Sequence, residues 1–497
     1  MKPFALAALA LSVFAATQAP AASGRDIAIT GTQDAPACSA CHGAKGEGQA
    51  AAAIPRLAGL DAGYIFRQLT SFADGTRKND TMRPVASALS DVERKAVAVY
   101  YASQKPAVAP APAASADTAI AAGAALAQSG DWSRGIPGCS QCHGPDGSGV
   151  GALVPRLAGQ SAQYIEAQLK AWRAGTREDD PMGLMASVAK KLDDTEIGSV
   201  AAYFAAAPSI PSTPTGKPET KANEPKAGTF VPPPENAIPD DEFGKLVRLG
   251  ANIFRDTQHY AAQYVGNTLA CQNCHLDGGR MANSAPLWAA YVSYPAYRSK
   301  TKEVNTYEER LQGCFLYSMN GKAPALGSKT LVALEAYSFF LAKGAPVGVE
   351  MPGRGYPALK KPAMAFDYAR GEQIYKRSCA LCHGANGEGQ KSADGRPVFP
   401  ALWGAKSFNW GAGMGNIKNA AGFIKANMPF SQGATLSDQE AWDVAAFVDS
   451  HERPQDPRFT GSVAGTRQKY HDGDTWMYGR EVNGVVLGAH SPPAGHH

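Results

Sequence analysis

Helical periodicity dominates the pattern of apolar and polar positions along this chain. Apolar residues recur at three- and four-residue spacing in four segments, which cover residues 94–101, 164–172, 330–341 and 439–448. Glycine and proline interrupt the chain frequently between these segments, and no long alternation of apolar and polar positions indicates an extended strand. The pattern therefore predicts a mainly α-helical protein with long loops.

An internal repeat divides the N-terminal half into two copies of one module. The sequence PRLAG occurs at residues 55–59 and again at 155–159, each time after a Cys-x-x-Cys-His motif. Repetition of this kind indicates tandem copies of one structural unit. Two further Cys-x-x-Cys-His modules follow in the C-terminal half, and a stretch with nine prolines, typical of a semi-rigid linker, separates the two halves.

These shifts in composition predict the boundaries of the modules. The predicted order is a signal peptide over 1–22, a first module over 23–104, an Ala/Pro linker over 105–120, a second module over 121–206, the Pro-rich linker over 207–240, a third module over 241–342, a connector over 343–364, a fourth module over 365–458 and a C-terminal tail over 459–497. The tail is predicted to be irregular, and its last two histidines are typical of a tag remnant.

Composition and charge restrict the classes of function. The chain has 497 residues, of which 44% are apolar and 19% charged, as expected for several folded domains. A net charge of +4 argues against general nucleic-acid binding. Residues 5–16 are apolar and are followed by Ala19-Pro20-Ala21, the layout of a cleaved secretory signal, which predicts a periplasmic protein. No later apolar run is long enough for a membrane span.

Eight of the nine cysteines form four Cys-x-x-Cys pairs, and a histidine directly follows each pair. This is the attachment signature of c-type haem, in which the thiols bond to the haem vinyl groups and the histidine binds the iron. Zinc pairs, redox dithiols and disulfides are the alternatives, but none requires a histidine after every pair. The predicted residues are Cys38, Cys41, Cys139, Cys142, Cys271, Cys274, Cys379 and Cys382 for attachment, and His42, His143, His275 and His383 as iron ligands, so four covalently bound haem c groups are expected.

Methionines in three of the modules are candidate sixth ligands. Met82 and Met182 follow their motifs by about forty residues in predicted loops, and Met428 follows the fourth motif by a similar distance. Met185 is the alternative in the second module and Met414 in the fourth. His/Met ligation raises the potential of a haem and suits electron transfer. The paired HGxxGxG and PRLAG elements make the first two modules resemble dihaem cytochromes of the c-four type, class I cytochromes, and imply the same fold for the four tandem modules.

The third motif lacks the HGxxGxG stretch and lacks a methionine at the expected distance. The ninth cysteine, Cys314, lies 39 residues past His275 instead. A thiolate is a known haem ligand. The alternatives are an inert buried thiol at this position, or Met319 as the sixth ligand.

Residues 241–452 resemble the dihaem thiosulfate dehydrogenase family. ACQNCHLDGG, APLW, YPAYRSK, ERLQGCFLYSMNGK and NWGAGM carry the resemblance, together with the long segment that ends at Arg458. It implies that the haem bound by His275 and Cys314 is the active site, where two thiosulfates become tetrathionate. It also implies that the haem of His383 and Met428 is the exit haem. Some relatives have a lysine before that methionine and exchange ligands on reduction, whereas this chain has Asn427.

The whole chain therefore resembles such an enzyme fused to its own dihaem acceptor. This implies that electrons pass into the N-terminal half and on to a soluble redox partner, a small cytochrome or a copper protein. Bringing two dianions together needs fixed positive charge, and arginine suits sulfonate oxygens. The candidate substrate residues in segment 294–322 are Arg298, Lys300, Arg310, Ser318 and Lys322, of which the resemblance supports Arg298, Arg310 and Ser318 most directly. If the segment around Cys314 is helical, Arg310 and Ser318 share its face. Lys302 is predicted to be a solvated surface charge.

Three alternative functions remain at this point. The same residues would serve a tetrathionate reductase working in the reverse direction. A non-catalytic tetrahaem carrier would need neither Cys314 nor its basic neighbours. A subunit of a membrane dehydrogenase or oxidase would usually need a membrane anchor, which the sequence lacks.

Overall fold

The computed structural model describes residues 23–105, 117–144, 147–207, 229–362, 364–392, 395–430 and 432–495. The predicted signal peptide, most of the Ala/Pro linker, most of the Pro-rich linker and the last two histidines lie outside the described residues. Among the described residues, no helix combines the length and apolar character needed to cross a membrane.

Helices dominate all four modules, and every one of the four periodic segments lies in a helix, as predicted. The first module has helices Gly24–Thr30, Ser39–His42, Ala62–Asp74, Met82–Ser87 and Asp91–Ala102. The second has Asp117–Ser129, Ser140–His143, Ala162–Ala174, Leu184–Ala189 and Asp194–Ala206. The third has Glu242–Arg255, Thr257–Tyr260, Leu276–Gly279, Leu287–Tyr291, Tyr307–Gly313, a π-helical turn Cys314–Ser318, and Lys329–Leu341. The fourth has Tyr368–Ser378, Ala380–His383, Ile417–Asn427 and Asp438–Asp449, and the C-terminal segment after it has Val463–Tyr470.

One close helix crossing recurs in all four modules. A glycine near the start of each module lies against a backbone carbonyl of that module's later long helix, so that a Cβ atom would clash with the carbonyl oxygen. The pairs are Gly24 with Ala96, Gly123 with Ser199, Gly250 with Ala333 and Gly371 with Asp443. The third module thus shares this crossing with the other three, although its motif and its later loop differ.

The start of the last long helix is also alike in modules one, two and four. Ser90, Asp193 and Ser437 are the N-cap residues, and each forms a reciprocal capping box with a glutamate three residues later. Such a box satisfies backbone N–H groups that the helix leaves unpaired. A buried leucine directly precedes each cap: Leu89, Leu192 and Leu436. We call Leu89, Leu192 and Leu436 the corner leucines. They mark equivalent positions in the three modules.

Strands are short and occur only as antiparallel pairs in the described part of the chain. They are Ala296–Arg298 with Glu303–Asn305, Gln390–Lys391 with Pro397–Phe399, and Glu481–Val482 with Val485–Val486. The third pair corrects the prediction of an irregular tail. Residues 459–495 contain a helix and this hairpin, and Met477 and Tyr478 are fully buried in a core that they share with Trp410 of the fourth module.

Candidate active site and haem modules

Each Cys-x-x-Cys-His motif orients its histidine in the same way. The Nδ1 atom lies within hydrogen-bond distance of a backbone carbonyl oxygen: His42 to Pro55 at 3.1 Å, His143 to Pro155 at 2.8 Å, His275 to Ala285 at 2.7 Å and His383 to Pro400 at 2.9 Å. With Nδ1 donating to that carbonyl, Nε2 keeps its lone pair free for a metal. Burial lowers the pKa of all four imidazoles, for His275 to about 4, which favours the neutral, metal-binding form.

The donor set fits covalently bound haem. In the first motif the backbone N–H groups of Cys41 and His42 both donate to the carbonyl of Cys38, at 3.3 and 2.9 Å, so one turn presents both thiols and the imidazole. The described residues contain no cluster of three or more His, Cys, Asp or Glu side chains that could hold a bare metal ion. Two thiols and one oriented imidazole on a single turn match the attachment chemistry of haem c.

A cavity of about 290 Å³ adjoins the third motif. Its lining includes Cys274, His275, Arg298, Arg310, Cys314, Ser318 and Met319 of the third module, Tyr356 of the connector, and Met414 and Asn419 of the fourth module. Three candidate substrate residues therefore meet the predicted iron ligands in one space. Sequence reasoning missed Tyr356, because its Gly/Pro-rich surroundings are typical of a connector, and it missed Asn419, which lies just beyond the NWGAGM stretch.

Cys314 lies where two kinds of helix join. Helix Tyr307–Gly313 ends directly before this residue, and the π-helical turn Cys314–Ser318 begins with it. Such turns are rare and occur frequently at functional sites. The Nη1 atom of Arg310 donates to the Cys314 sulfur at 2.8 Å. The stretch is α-helical up to Gly313 and π-helical from Cys314, and Arg310, Cys314 and Ser318 all line the same cavity.

Positive charge extends beyond the cavity lining. Burial, followed by the charge of Arg310, lowers the pKa of Arg298. Lys300 lies next to the lining, with its Nζ atom 3.6 Å from the centre of the Tyr317 ring. Burial, followed by neighbouring arginines of which Arg458 is the strongest, holds the pKa of Lys300 well below its usual value. A charge cluster of this kind favours bound anions.

Arg458 is a member of this cluster that the sequence did not single out. Its guanidinium lies 5.0 Å from the centre of the Tyr317 ring, pairs with the buried Asp456 at 2.7 Å and donates to the backbone carbonyl of Lys300 at 3.3 Å. Lys322, in contrast, is exposed and lies outside the cavity lining, and Lys302 is exposed as well. The structure thus brings together three of the five candidate substrate residues, places Lys300 beside them and leaves Lys322 apart.

The second module offers two methionines as sixth ligand, and the buried corner leucines distinguish them. Met82 lies seven residues before Leu89 in the first module. Met185 lies seven residues before the equivalent Leu192, whereas Met182 lies ten residues before it. Met185 therefore occupies the position in the second module that Met82 occupies in the first.

The two methionines also differ in their surroundings. Met185 packs against the hydrophobic core of its module. Met182 lies in the turn Pro181–Gly183, where it adopts a φ of 63°. Met82 is the first residue of helix Met82–Ser87. The prediction that it lies in a loop was therefore wrong by one residue.

The alternatives in the C-terminal half are also placed. Met428 directly follows helix Ile417–Asn427 and precedes the corner leucine Leu436 by eight residues. Met414 lines the cavity of the third module and also packs against a hydrophobic core of the fourth, so it stays an alternative to Met428. Met319 is buried and lines that same cavity, so it stays an alternative to Cys314 there.

The first two modules meet through a buried network with near two-fold symmetry. Arg77 Nη2 donates to Gln168 Oε1 at 2.6 Å, and Arg177 Nη2 donates to Gln68 Oε1 at 2.8 Å. Gln168 and Arg177 are the same residue types as Gln68 and Arg77, and each lies one hundred residues further along the chain. The repeat seen in the sequence is thus also a repeat in space.

The second and fourth modules also touch through their motifs. Burial, followed by the proximity of Cys382, raises the pKa of the Cys142 thiol. Trp132 of the second module packs edge-to-face on Phe430 of the fourth, with ring centres 5.2 Å apart. The second and fourth modules are therefore in contact, and Cys142 and Cys382 lie close enough for their charges to interact.

Helical modules that present two thiols and an oriented imidazole on one turn define a c-type cytochrome with several haem domains. The cytochrome c family matches residues 24–105 and 120–207, the SoxA/TsdA cytochrome c domain matches 257–347, and the family of subunit III of cbb3-type cytochrome c oxidase matches 366–448. The first two modules thus match the cytochrome c family itself, and the third and fourth each match a different cytochrome family. These matches confirm the predicted fold class.

Whole-chain similarity is more specific. A thiosulfate dehydrogenase of Thiomonas intermedia (strain K12) is 59% identical over 313 residues, which are 63% of this chain and 97% of the relative. A thiosulfate dehydrogenase electron acceptor of Stutzerimonas stutzeri (strain A1501) is 50% identical over 206 residues, 40% of this chain and 91% of the relative. The solved structure of a thiosulfate dehydrogenase (TsdBA) from Marichromatium purpuratum superposes with a TM-score of 0.87 at 46% identity, over 94% of this chain and 99% of that one. The chain belongs to the thiosulfate dehydrogenase family.

Proposed function

We propose that this protein oxidises two thiosulfates to tetrathionate in the cavity beside His275. The observation that carries the proposal is the contact of 2.8 Å between Arg310 and the Cys314 sulfur in a cavity that His275 also lines. A guanidinium at this distance orients the cysteine sulfur and leaves further N–H groups for an anion. An electron carrier without a substrate would need no such arrangement.

The residues in and around the cavity have different roles in binding thiosulfate. Arg298 and Arg310 bind the sulfonate oxygens of thiosulfate, and the hydroxyl of Ser318 donates a further hydrogen bond. Arg458, beside the Tyr317 ring, adds positive potential that offsets the repulsion between two dianions, and a bound dianion would favour the charged form of Lys300. Lys322 has no part in this binding, because it is exposed away from the lining.

Haem c bound at Cys271, Cys274 and His275 supplies an iron that takes up electrons one at a time. Cys314 would be the second protein ligand of that iron and would provide the reacting sulfur. Its thiolate forms an S–S bond with the outer sulfur of one thiosulfate as two electrons leave. The outer sulfur of the second thiosulfate then attacks that thiosulfate-derived sulfur, which forms tetrathionate and releases the Cys314 thiolate.

The remaining modules form the exit route for electrons. We assign His42 with Met82, His143 with Met185, and His383 with Met428 as ligand pairs, which gives four haem groups with that of the catalytic module. The contact between the second and fourth modules makes the second module the entrance to the N-terminal half. Cys41 is exposed, whereas the other attachment cysteines are partly buried. A haem attached there would be the most accessible of the four, so a soluble redox partner docks at the first module.

An anaerobic titration tests the catalytic proposal. Thiosulfate added to the oxidised, haem-loaded protein should reduce it, and tetrathionate should form in the same tube. Cys314→Gly should abolish both while intact-mass measurement still counts four haem groups, and Lys302→Gln serves as the matched control. Wild-type-like turnover by Cys314→Gly would contradict the mechanism. Tetrathionate added to the reduced protein measures the reverse reaction at the same site.

The N-terminal sequence supports a periplasmic location. An apolar segment of twelve residues that ends in small residues is the layout of a cleaved export signal. N-terminal sequencing of protein from the periplasmic fraction of its host should therefore find a mature start near Ala22, and an uncleaved chain in the cytosol would contradict the location.

A further inference from the structure

We propose that Gln432 of the fourth module is a positioning residue for the sixth ligand of the second module. It holds the turn that precedes Met185 and thereby ties the ligation of one module to its contact with another. The inference rests on the proposed assignment of Met185 as that ligand. Gln432 and this turn are about 250 residues apart in the chain, so the tie exists only where the two modules are docked.

The contact is a hydrogen bond to the backbone. The side-chain Nε2 atom of Gln432 donates to the carbonyl oxygen of Met182 at 3.0 Å and lies 3.5 Å from that of Gly183. Met182 and Gly183 adopt φ values of 63° and 65° in succession. A methionine rarely occupies this left-handed region, so the turn persists only where surrounding contacts hold it.

The turn leads directly into the ligand. Helix Leu184–Ala189 begins at the next residue, and Met185 is its second residue. On the near side, the carboxylate of Asp180 accepts a hydrogen bond from the backbone N–H of Ala186 at 2.8 Å. The start of this helix is therefore fixed from its own module by Asp180 and from the fourth module by Gln432. Displacement of the turn would displace the Met185 sulfur with it.

The other end of the contact lies beside a second ligand. Gln432 follows Met428 by four residues, and Phe430 between them packs on Trp132 of the second module. The segment that carries the proposed ligand of the fourth module is thus the same segment that holds the ligand turn of the second. Two neighbouring redox sites are joined through their ligand segments.

Removal of the Gln432 donor should loosen the Met185 ligand alone. One net hydrogen bond changes an equilibrium by about fivefold. Gln432→Ala and the isosteric Gln432→Glu should therefore raise the fraction of second-module iron without methionine about fivefold. Proton NMR of the reduced holoprotein reports this directly, since ring currents move the methyl resonance of each iron-bound methionine far upfield. One such resonance should weaken or shift, and one haem potential should fall, because loss of methionine lowers the potential.

Two controls make the result decisive. Met185→Ala identifies the resonance in advance, and Gln468→Ala removes an exposed glutamine of the same half. Haem content and thermal unfolding equal to wild type show that the variants are folded. If both Gln432 variants keep the Met185 resonance and all potentials unchanged, the proposal is overturned while the ligand assignment stands. If Met185→Ala keeps every upfield methyl resonance, the assignment fails and this proposal fails with it.

Discussion

Replacement of Arg310 is the sharpest test of how the cavity handles charge. Its Nη1 atom donates to the Cys314 sulfur at 2.8 Å inside a partly buried site. A hydrogen bond to a charged group contributes about 1.5–3 kcal/mol, so Arg310→Gln should lower kcat/KM for thiosulfate by roughly 10- to 150-fold. Arg310→Lys keeps the charge but loses the planar fork, so it can contact the sulfur or a sulfonate and not both at once. The fall in kcat/KM for Arg310→Lys should therefore be smaller than the fall for Arg310→Gln.

Steady-state rates of thiosulfate-dependent acceptor reduction measure these losses, with haem content determined for each variant. Lys302→Gln is the matched control, because Lys302 is an exposed lysine in the turn of the hairpin that carries Arg298. Salt adds a second criterion. Exposed charges are screened over about 10 Å at 0.1 M salt, whereas the effect of a buried guanidinium persists. A kcat/KM for Arg310→Gln within twofold of wild type, at low and high salt alike, would refute the assignment of this residue.

Three further outcomes are expected. Met185→Ala should remove one axial methionine signal from the NMR spectrum of the reduced protein, whereas Met182→Ala should leave all of them, and the reverse result would restore Met182 as the ligand. Gly123→Ala should destabilise the second module by about 1–3 kcal/mol in denaturant unfolding, because the added Cβ meets the Ser199 carbonyl, and unchanged stability would contradict the tight crossing. Trp132→Ala should slow reduction of the N-terminal half by thiosulfate in stopped-flow spectra without changing the catalytic burst, and an unchanged rate would place the electron entrance elsewhere.

The local features of this protein were predictable from its sequence. A haem-attachment motif needs two thiols and an imidazole on one turn, and that spacing is visible in five consecutive residues such as those that end at His275. The amphipathic period of helix Asp438–Asp449 is equally local. Cys314 could be singled out because it is the cysteine left over from four pairs. Each of these signals lies within a short window of sequence.

The features that the sequence did not reveal depend on contacts between distant segments. The repeat spacing of one hundred residues between Arg77 and Arg177 suggested that Met182 corresponds to Met82. The second module has three more residues than the first between this arginine and the following helix. The buried leucines Leu89 and Leu192, which precede equivalent helices, reveal this insertion. The role of Gln432 likewise could not be predicted from sequence. It is a polar residue in a loop, and its hydrogen-bond partner lies about 250 residues away in another module.

The third module shows how a carrier fold becomes a catalytic one. Its Gly250 lies against the carbonyl of Ala333, as the equivalent glycines do in the other modules, so the crossing of the two long helices is unchanged. The third module differs in its motif region and in the connection between the motif and the last helix. A hairpin, helix Tyr307–Gly313 and a π-helical turn replace the methionine segment there, and they bring Arg310 and Cys314 into the cavity. Under the proposed function, the third module keeps the shared crossing and an oriented His275, and the segment with Arg310 and Cys314 adds the substrate side.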